Sequence, residues 1–135
     1  ELETVAIASK MDLFSIVYVA KPEEAAAMAE AGADAVIAHV GTTVGGSIGV
    51  TGAVCSMEDA AERCQAIFDA ARAINPNIFL LSHGGPINTP EDAAQINQMT
   101  DAQGFVGASS LERMGVEESL TNLTRTFKQI AVERK

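Results

Sequence analysis

Short apolar runs alternate with longer amphipathic segments along the 135 residues of the chain. The apolar runs are the length of single strands, and they lack the polar alternation of a sheet with one face in water. Such runs are typical of strands that are buried on both faces. The pattern predicts four strands, over residues 13–19, 35–38, 78–81 and 104–106.

A helical segment precedes the first predicted strand, over residues 1–10, and another follows each of the four strands. Pro22 opens the second helix in its first turn. Ser56 and Asp59 resemble a capping box at the start of the third helix, and Thr89 caps the fourth. Helices that alternate with strands in this way predict a parallel sheet. The apolar positions of the last helix fall on one face: Val116, Leu120, Leu123, Phe127 and Ile130.

A weak internal repeat indicates which parallel fold this is. The segment 22–26 (PEEAA) is echoed by 90–94 (PEDAA), 68 residues later, which corresponds to two βα units of about 34 residues each. That length is close to one eighth of the roughly 250 residues of a TIM (βα)8 barrel. We therefore expect residues 1–135 to form a single α/β domain, four parallel strands that make half of a TIM barrel. An open sheet of the flavodoxin type is the alternative.

Composition excludes several classes of function. The net charge of −9 and the aromatic content of 4% argue against nucleic-acid binding, which needs a basic surface and often stacking rings. No apolar stretch approaches the roughly 20 residues of a membrane span. Cys55 and Cys64 form no CxxC motif, and we expect reduced thiols in a cytoplasmic protein.

The candidate catalytic and ligand-binding residues lie where the predicted strands end, which in a barrel is the catalytic face. His39 and His83, the two histidines of the chain, both lie there. Imidazole titrates near neutral pH, so either is a candidate acid or base, although a lone histidine is more often structural. The Gly84-Gly85 and Ser109-Ser110 segments predict a phosphate site, with ordinary turn chemistry as the alternative.

The longest connection, residues 41–54, leaves the same end of the second strand. Its composition suits a backbone wrapped around a ligand, and a mobile lid without ligand contact is the alternative. Arg113 is a candidate to pair with the charge of a ligand, or with the neighbouring Glu112 in a surface ion pair. The further candidate ligand-binding residues are Gly41, Thr42, Gly45, Gly46, Ser47 and Gly107.

Four segments together carry a family resemblance: 32–41 (GADAVIAHVG), 45–49 (GGSIG), 82–86 (SHGGP) and 107–113 (GASSLER). In this order and spacing they resemble the phosphoenolpyruvate hydrolase-like TIM-barrel family, which also occurs as the C-terminal domain of Tm-1-like proteins. The resemblance covers essentially the whole chain and corresponds to strands five to eight of the family's barrel.

The resemblance implies a small anionic ligand, a phosphorylated or oxo-acid metabolite, bound at the carboxyl ends of the strands. It suggests hydrolase or lyase chemistry, and kinship with related barrels implies a divalent cation such as Mg²⁺, although no metal-ligand cluster is visible in the sequence. The alternative function is a non-catalytic metabolite-sensing or protein-interaction module. Four strands leave two open edges and an apolar inner face, so we expect a homo-oligomer or association with the missing half-barrel.

Overall fold

The computed structural model describes residues 1–44 and 55–130. Strands and helices alternate through this part of the chain, and a five-residue π-helix, Ser110–Met114, leads into the last α-helix. The elements in chain order are α1 (Leu2–Lys10), β1 (Ile16–Val19), α2 (Pro22–Glu30), β2 (Ala35–His39), α3 (Met57–Ile74), β3 (Phe79–His83), α4 (Pro90–Met99), β4 (Gly104–Phe105) and α5 (Gly115–Lys128).

The four strands form one parallel sheet in the order β1-β2-β3-β4. Each strand therefore pairs with the next strand along the chain, as in a barrel. The strand order of a flavodoxin-type sheet reverses at a switch point, which this sheet lacks within the described residues. The half TIM barrel predicted from the sequence is confirmed, and the open doubly wound sheet is wrong.

The helices cover one face of this sheet. Alternate strand residues on that face, among them Val19, Val36 and Leu80, belong to the same buried cluster as Phe68 of α3 and Ile96 of α4. Because strand side chains alternate between faces, the residues between them point to the other side. The helices thus form the layer that surrounds the strands of a barrel, and they cover the outer face of β1, β2 and β3.

The opposite, inner face of the sheet is open in part, although Ala35 and Ile37 of β2 are buried there. Ile16, Tyr18 and Phe79 are each about half exposed there, at 53%, 52% and 50%. The ring of Phe14 lies beside that of Phe79, with 6.0 Å between the centroids. The expectation that a second copy or further βα units cover this face stays a prediction.

No helix in the described ranges is long and apolar enough to cross a membrane.

Two of the four strands end later than the sequence pattern predicts, whereas β1 ends at Val19 as predicted and β4 ends at Phe105, one residue early. The second and third strands were expected to end at Ala38 and Leu81, but both continue to a histidine, His39 and His83. The reason is their mutual ladder, in which these two histidines are register partners and the Val40 N–H donates to the His83 carbonyl at 3.1 Å. Both histidines are therefore held by the sheet itself.

The first strand starts later than predicted, at Ile16 instead of Leu13. The Leu13 N–H still donates to the Ala8 carbonyl of α1, and Asp12 adopts a φ of 56°. The Asp34 carboxylate then accepts a hydrogen bond of 2.7 Å from the Ser15 N–H. These contacts lie at the amino end of the sheet, so Asp34 has a structural role there.

The helix starts predicted from the sequence are confirmed. Ser56 and Asp59 form a full capping box at α3, and Thr89 and Asp92 form a second one at α4. The Asp92 carboxylate also accepts from the Asn88 N–H at 3.0 Å, in the loop that follows β3. The hydrogen bonds of this capping box therefore connect the loop that follows β3 to the first turn of α4.

The loops that leave β2 and β3 contact each other closely. The Gly85 N–H donates to the Gly41 carbonyl at 2.8 Å, and the Val44 N–H donates to the Gly85 carbonyl at 3.2 Å. Gly84 and Gly85 have φ of 80° and 58°, and a Cβ on Gly84 would collide with the Gly41 carbonyl oxygen. The paired glycines are thus required by loop packing, whether or not a ligand approaches them.

Replacement of Asp92 by Ala is expected to lower the free energy of unfolding by about 1 kcal/mol at neutral pH, as for other lost helix caps. Burial acts to raise the pKa of the Asp92 carboxyl, but the hydrogen bonds from Asn88 and Thr89 outweigh burial and lower this pKa. The stabilisation is therefore present above the unfolded pKa of about 4 and is lost as the pH falls through the lowered folded pKa.

Denaturant titrations at pH 7 and in the acid range measure this difference. Glu91→Ala is the matched control, because it removes the same charge from the same helical turn without the hydrogen bonds of the capping box. A loss for Asp92→Ala that stays constant down to the lowest pH would show that the ionised carboxylate is not responsible.

Replacement of Gly84 by Ala is expected to destabilise the protein by about 1–3 kcal/mol, because a Cβ at positive φ is strained and has no space here. Gly115→Ala is the control: it has helical φ and no atom within 4 Å of the added Cβ, so it should be neutral or stabilise slightly. Thermal denaturation compares the two, and equal melting temperatures would contradict the close loop contact.

Candidate functional site

Three rings meet on the inner face of the sheet, close to the carboxyl ends of the strands. The centroids of His39 and His83 are 5.1 Å apart, as their register in neighbouring strands requires. The ring of Tyr18 lies 5.2 Å from His83 and 6.0 Å from His39, edge-on to both. The structure thus brings together the two histidines that the sequence singled out.

The environment of His83 fixes the state of its ring. The side chain is 8% exposed, and its Nδ1 lies 2.7 Å from the carbonyl oxygen of Val106. A carbonyl only accepts hydrogen bonds, so Nδ1 must carry the proton and donate it. In the neutral ring, Nε2 is then the nitrogen with a free lone pair. This arrangement prepares Nε2 to accept a proton or, when protonated, to donate to an anion.

Tyr18 is a member of this cluster that the sequence analysis missed. It lies level with Ile37 in the β1–β2 ladder, on the same face as His39 two residues further along β2. Its single occurrence in the sequence and its parity in the strand were the available signals. Neither identifies a site before the strand register is known. Half exposed, it adds a hydroxyl group near the two imidazoles.

The loops that follow β3 and β4 are neighbours, as expected for consecutive barrel units. The ladder between these strands extends past their ends, since the Val106 N–H donates to the Ser82 carbonyl at 2.9 Å. A Cβ on Gly107 would lie 2.6 Å from the Leu111 side chain, so that exposed side chain would have to move. Among the described residues, the N–H groups of 107–110 donate to no backbone carbonyl, and Ser109, the N-cap of the π-helix, makes no side-chain cap. Peptide N–H groups at the start of a helix are the kind of donor that binds an anion.

The remaining predicted site residues divide into two groups. Gly41 lies on the loop after β2, against Gly85, and Thr42 is exposed next to it. Gly45, Gly46 and Ser47 lie outside the described residues, as does the side chain of Arg113, whose backbone belongs to the π-helix. The described part of the predicted site therefore consists of the two histidines and the rim loops at Gly41, at Gly84-Gly85 and at residues 107–110.

The described residues do not fit the Mg²⁺ that the family resemblance implies. Mg²⁺ prefers oxygen ligands, commonly carboxylates, whereas the ring cluster offers two imidazoles and a phenol. Within residues 1–44 and 55–130, no group of three or more His, Cys, Asp or Glu side chains could hold a metal ion.

Cys64 is a buried packing residue of α3. Its burial raises the pKa of its thiol to about 12.

Comparison with known proteins agrees with this architecture. A nitroalkane oxidase from Streptomyces ansochromogenes, a TIM-barrel-like enzyme, has a similar structure, with a TM-score of 0.51 and 27% sequence identity. The similarity covers 82% of this chain and 31% of that enzyme. The enzyme is therefore a fold relative over part of its length.

Curated relatives match nearly the whole chain. The tomato (Solanum lycopersicum) ToMV susceptible protein tm-1(GCR26) is 47% identical over 98% of it, and the tomato ToMV resistance protein Tm-1(GCR237) is 46% identical. A putative transcriptional regulatory protein, y4pA, from Sinorhizobium fredii is 32% identical over the full chain. The chain spans about one fifth of these relatives, 18% of each tomato protein and 22% of y4pA.

A family model described as phosphoenolpyruvate hydrolase-like matches residues 1–130, which include the four described strands, both histidines and the three rim loops of the candidate site. Together with the parallel half-barrel and the relatives that match nearly the whole chain, this match confirms the resemblance seen in the four sequence segments. The chain belongs to the phosphoenolpyruvate hydrolase-like family.

Proposed function

We propose that the chain binds and turns over a small phosphorylated or oxo-acid metabolite at the carboxyl ends of its strands. The observation that carries this proposal is the fixed ring of His83, whose Nδ1–H donates to the Val106 carbonyl and whose Nε2 keeps its lone pair, beside His39. A histidine oriented by a carbonyl in this way is a common arrangement for proton transfer.

The two imidazoles have complementary roles in the proposed chemistry. His83 is held by the sheet and by Val106, so its Nε2 has a defined position and is the better candidate for the acid or base. His39 is more exposed and lies 5.1 Å away, close enough to stabilise negative charge that develops on the same ligand. The reaction class consistent with this pair is hydrolysis or elimination on a phosphorylated or oxo-acid compound.

The rim loops supply the proposed anion site. The backbone donors at residues 107–110 and the hydroxyls of Ser109 and Ser110 follow β4, the strand next to the one that carries His83 and the Gly84-Gly85 loop. Peptide N–H groups and hydroxyls suit phosphate oxygens without requiring a cation. In this arrangement the phosphate group is bound by the β4 loop, and the reacting carbon lies toward His83.

His83→Ala is expected to reduce the turnover rate about 10²–10⁴-fold, the usual contribution of a general acid or base. His83→Asn separates chemistry from structure, because its amide NH₂ can replace Nδ1–H toward Val106 while it lacks Nε2. We expect the Asn variant to keep the melting temperature of the natural protein and to lose as much activity as the Ala variant. The assays use the full-length protein, with phosphoenolpyruvate as the first substrate tested.

If His83→Asn retained full activity, His83 would be a structural residue and the catalytic proposal would be wrong.

The names of the relatives support a second candidate function. They describe proteins related to virus resistance or susceptibility and a putative transcriptional regulator, and none of them is named as an enzyme. A metabolite-sensing module would bind the ligand in both His83 variants and show no turnover in the natural protein.

Replacing Ser109 and Ser110 together by Ala should weaken binding of inorganic phosphate and of phosphoenolpyruvate about 30-fold, through loss of two hydroxyl donors worth roughly 1 kcal/mol net each. Ser119→Ala, on the exposed surface of α5, is the control. Calorimetry with pyruvate as a third ligand separates phosphate from oxo-acid recognition. Equal phosphate affinity in the double variant and the control would place the anion site elsewhere.

A further inference from the structure

The last helix, α5, presents an unpartnered apolar face. Within residues 115–128 the structure describes no buried side chain, whereas α2, α3 and α4 all bury residues against the sheet. The main contact of α5 within the described chain is with the π-helix that leads into it. The apolar residues of this face, including one just beyond the helix, are 53–64% exposed: Val116, Leu120, Leu123, Phe127 and Ile130.

The spacing of this face indicates what kind of surface it fits. Its residues follow one another at intervals of four, three, four and three, which is the heptad spacing of a helix that packs on another helix. By contrast, α3 packs on the sheet with a wider stripe that includes adjacent pairs, Ala60-Ala61 and Ile67-Phe68. The narrow seam of α5 is therefore suited to a helix more than to a sheet.

The charges of α5 are opposite at its two ends. Glu117 and Glu118 lie in the first turn, and Arg125 and Lys128 lie in the last. A second α5 that runs antiparallel places its basic last turn level with the acidic first turn of the first helix, and it also opposes the two helix dipoles. A parallel neighbour would instead bring like charges together. The helix is thus electrostatically complementary to an antiparallel copy of itself.

We propose that α5 pairs antiparallel with α5 of a second copy of this chain. When the two helices overlap over their full length, Leu120 faces the partner's Leu123 and Val116 faces the partner's Phe127. Four seam residues from each copy then form a continuous apolar interface. About two heptads make a short coiled coil, and in each copy the helix continues directly from the π-helix that follows β4.

Disulfide trapping tests the orientation directly, with Cys55→Ser and Cys64→Ala removing the two thiols of this chain. Residues 116 and 127 are about 16 Å apart along one helix, beyond the roughly 7 Å Cα separation that a disulfide spans. An equimolar mixture of the V116C and F127C proteins should therefore cross-link between copies under mild oxidation, and V116C alone should not. Cross-linking of V116C alone as efficiently as the mixture would show a parallel pair and overturn the proposal.

The strength of the pairing is tested with the native cysteines in place. Leu120→Glu together with Leu123→Glu puts like charges into the seam and should raise the dissociation constant of the dimer at least about 100-fold in sedimentation equilibrium. Thr121→Glu, adjacent to the seam residues in sequence but off the seam, is the control and should leave the dimer intact. Circular dichroism should show that all variants fold, since α5 buries no residue of the domain core.

An unchanged association state in the double Glu variant would overturn the proposal, as would a monomeric natural protein in which α5 is protected from proteolysis. If the natural protein is monomeric and α5 is protected from proteolysis, another part of the same full-length chain covers the helix. Binding of inorganic phosphate should be unaffected in the double Glu variant, so failure here is distinguishable from failure of the proposed function.

Discussion

The parallel pairing of β2 with β3 is the interaction on which the candidate site depends. In this ladder His39 and His83 are register partners, and the hydrogen bond from Val40 to His83 extends the pairing to the rim. The loops that follow then meet through Gly41 and Gly85. A shift by one residue would turn one histidine to the helix-covered face, so the ring cluster requires this register.

The neighbouring ladder of β3 with β4 completes the arrangement. It places the Val106 carbonyl against Nδ1 of His83 and brings the serine-containing loop beside the glycine loop. The helices α2, α3 and α4 pack on the outer face, and on the inner face Tyr18 and His39 stay partly exposed, whereas His83 is 8% exposed. The same asymmetry leaves apolar residues such as Ile16 and Phe79 half exposed on the inner face.

Much of the fold could be predicted because its signals are local. Apolar runs, the Pro22 and Thr89 helix starts and the unit length gave the order of elements and the barrel-type sheet. Strand ends were predicted less well, because the ladder that extends β2 and β3 to their histidines depends on contacts between distant segments. Tyr18 and the carbonyl of Val106 were missed for the same reason, since their roles arise from register and from backbone geometry.

The central claim is that His83 is held as a rim imidazole with Nδ1 protonated and Nε2 available to an anion. Nitrogen-15 correlation spectra of the histidine side chains measure this directly. We expect the neutral His83 ring to carry its proton on Nδ1, and the resonances of both His83 and His39 to shift when inorganic phosphate is added. A proton on Nε2, or resonances of both rings that phosphate leaves unchanged, would contradict the account.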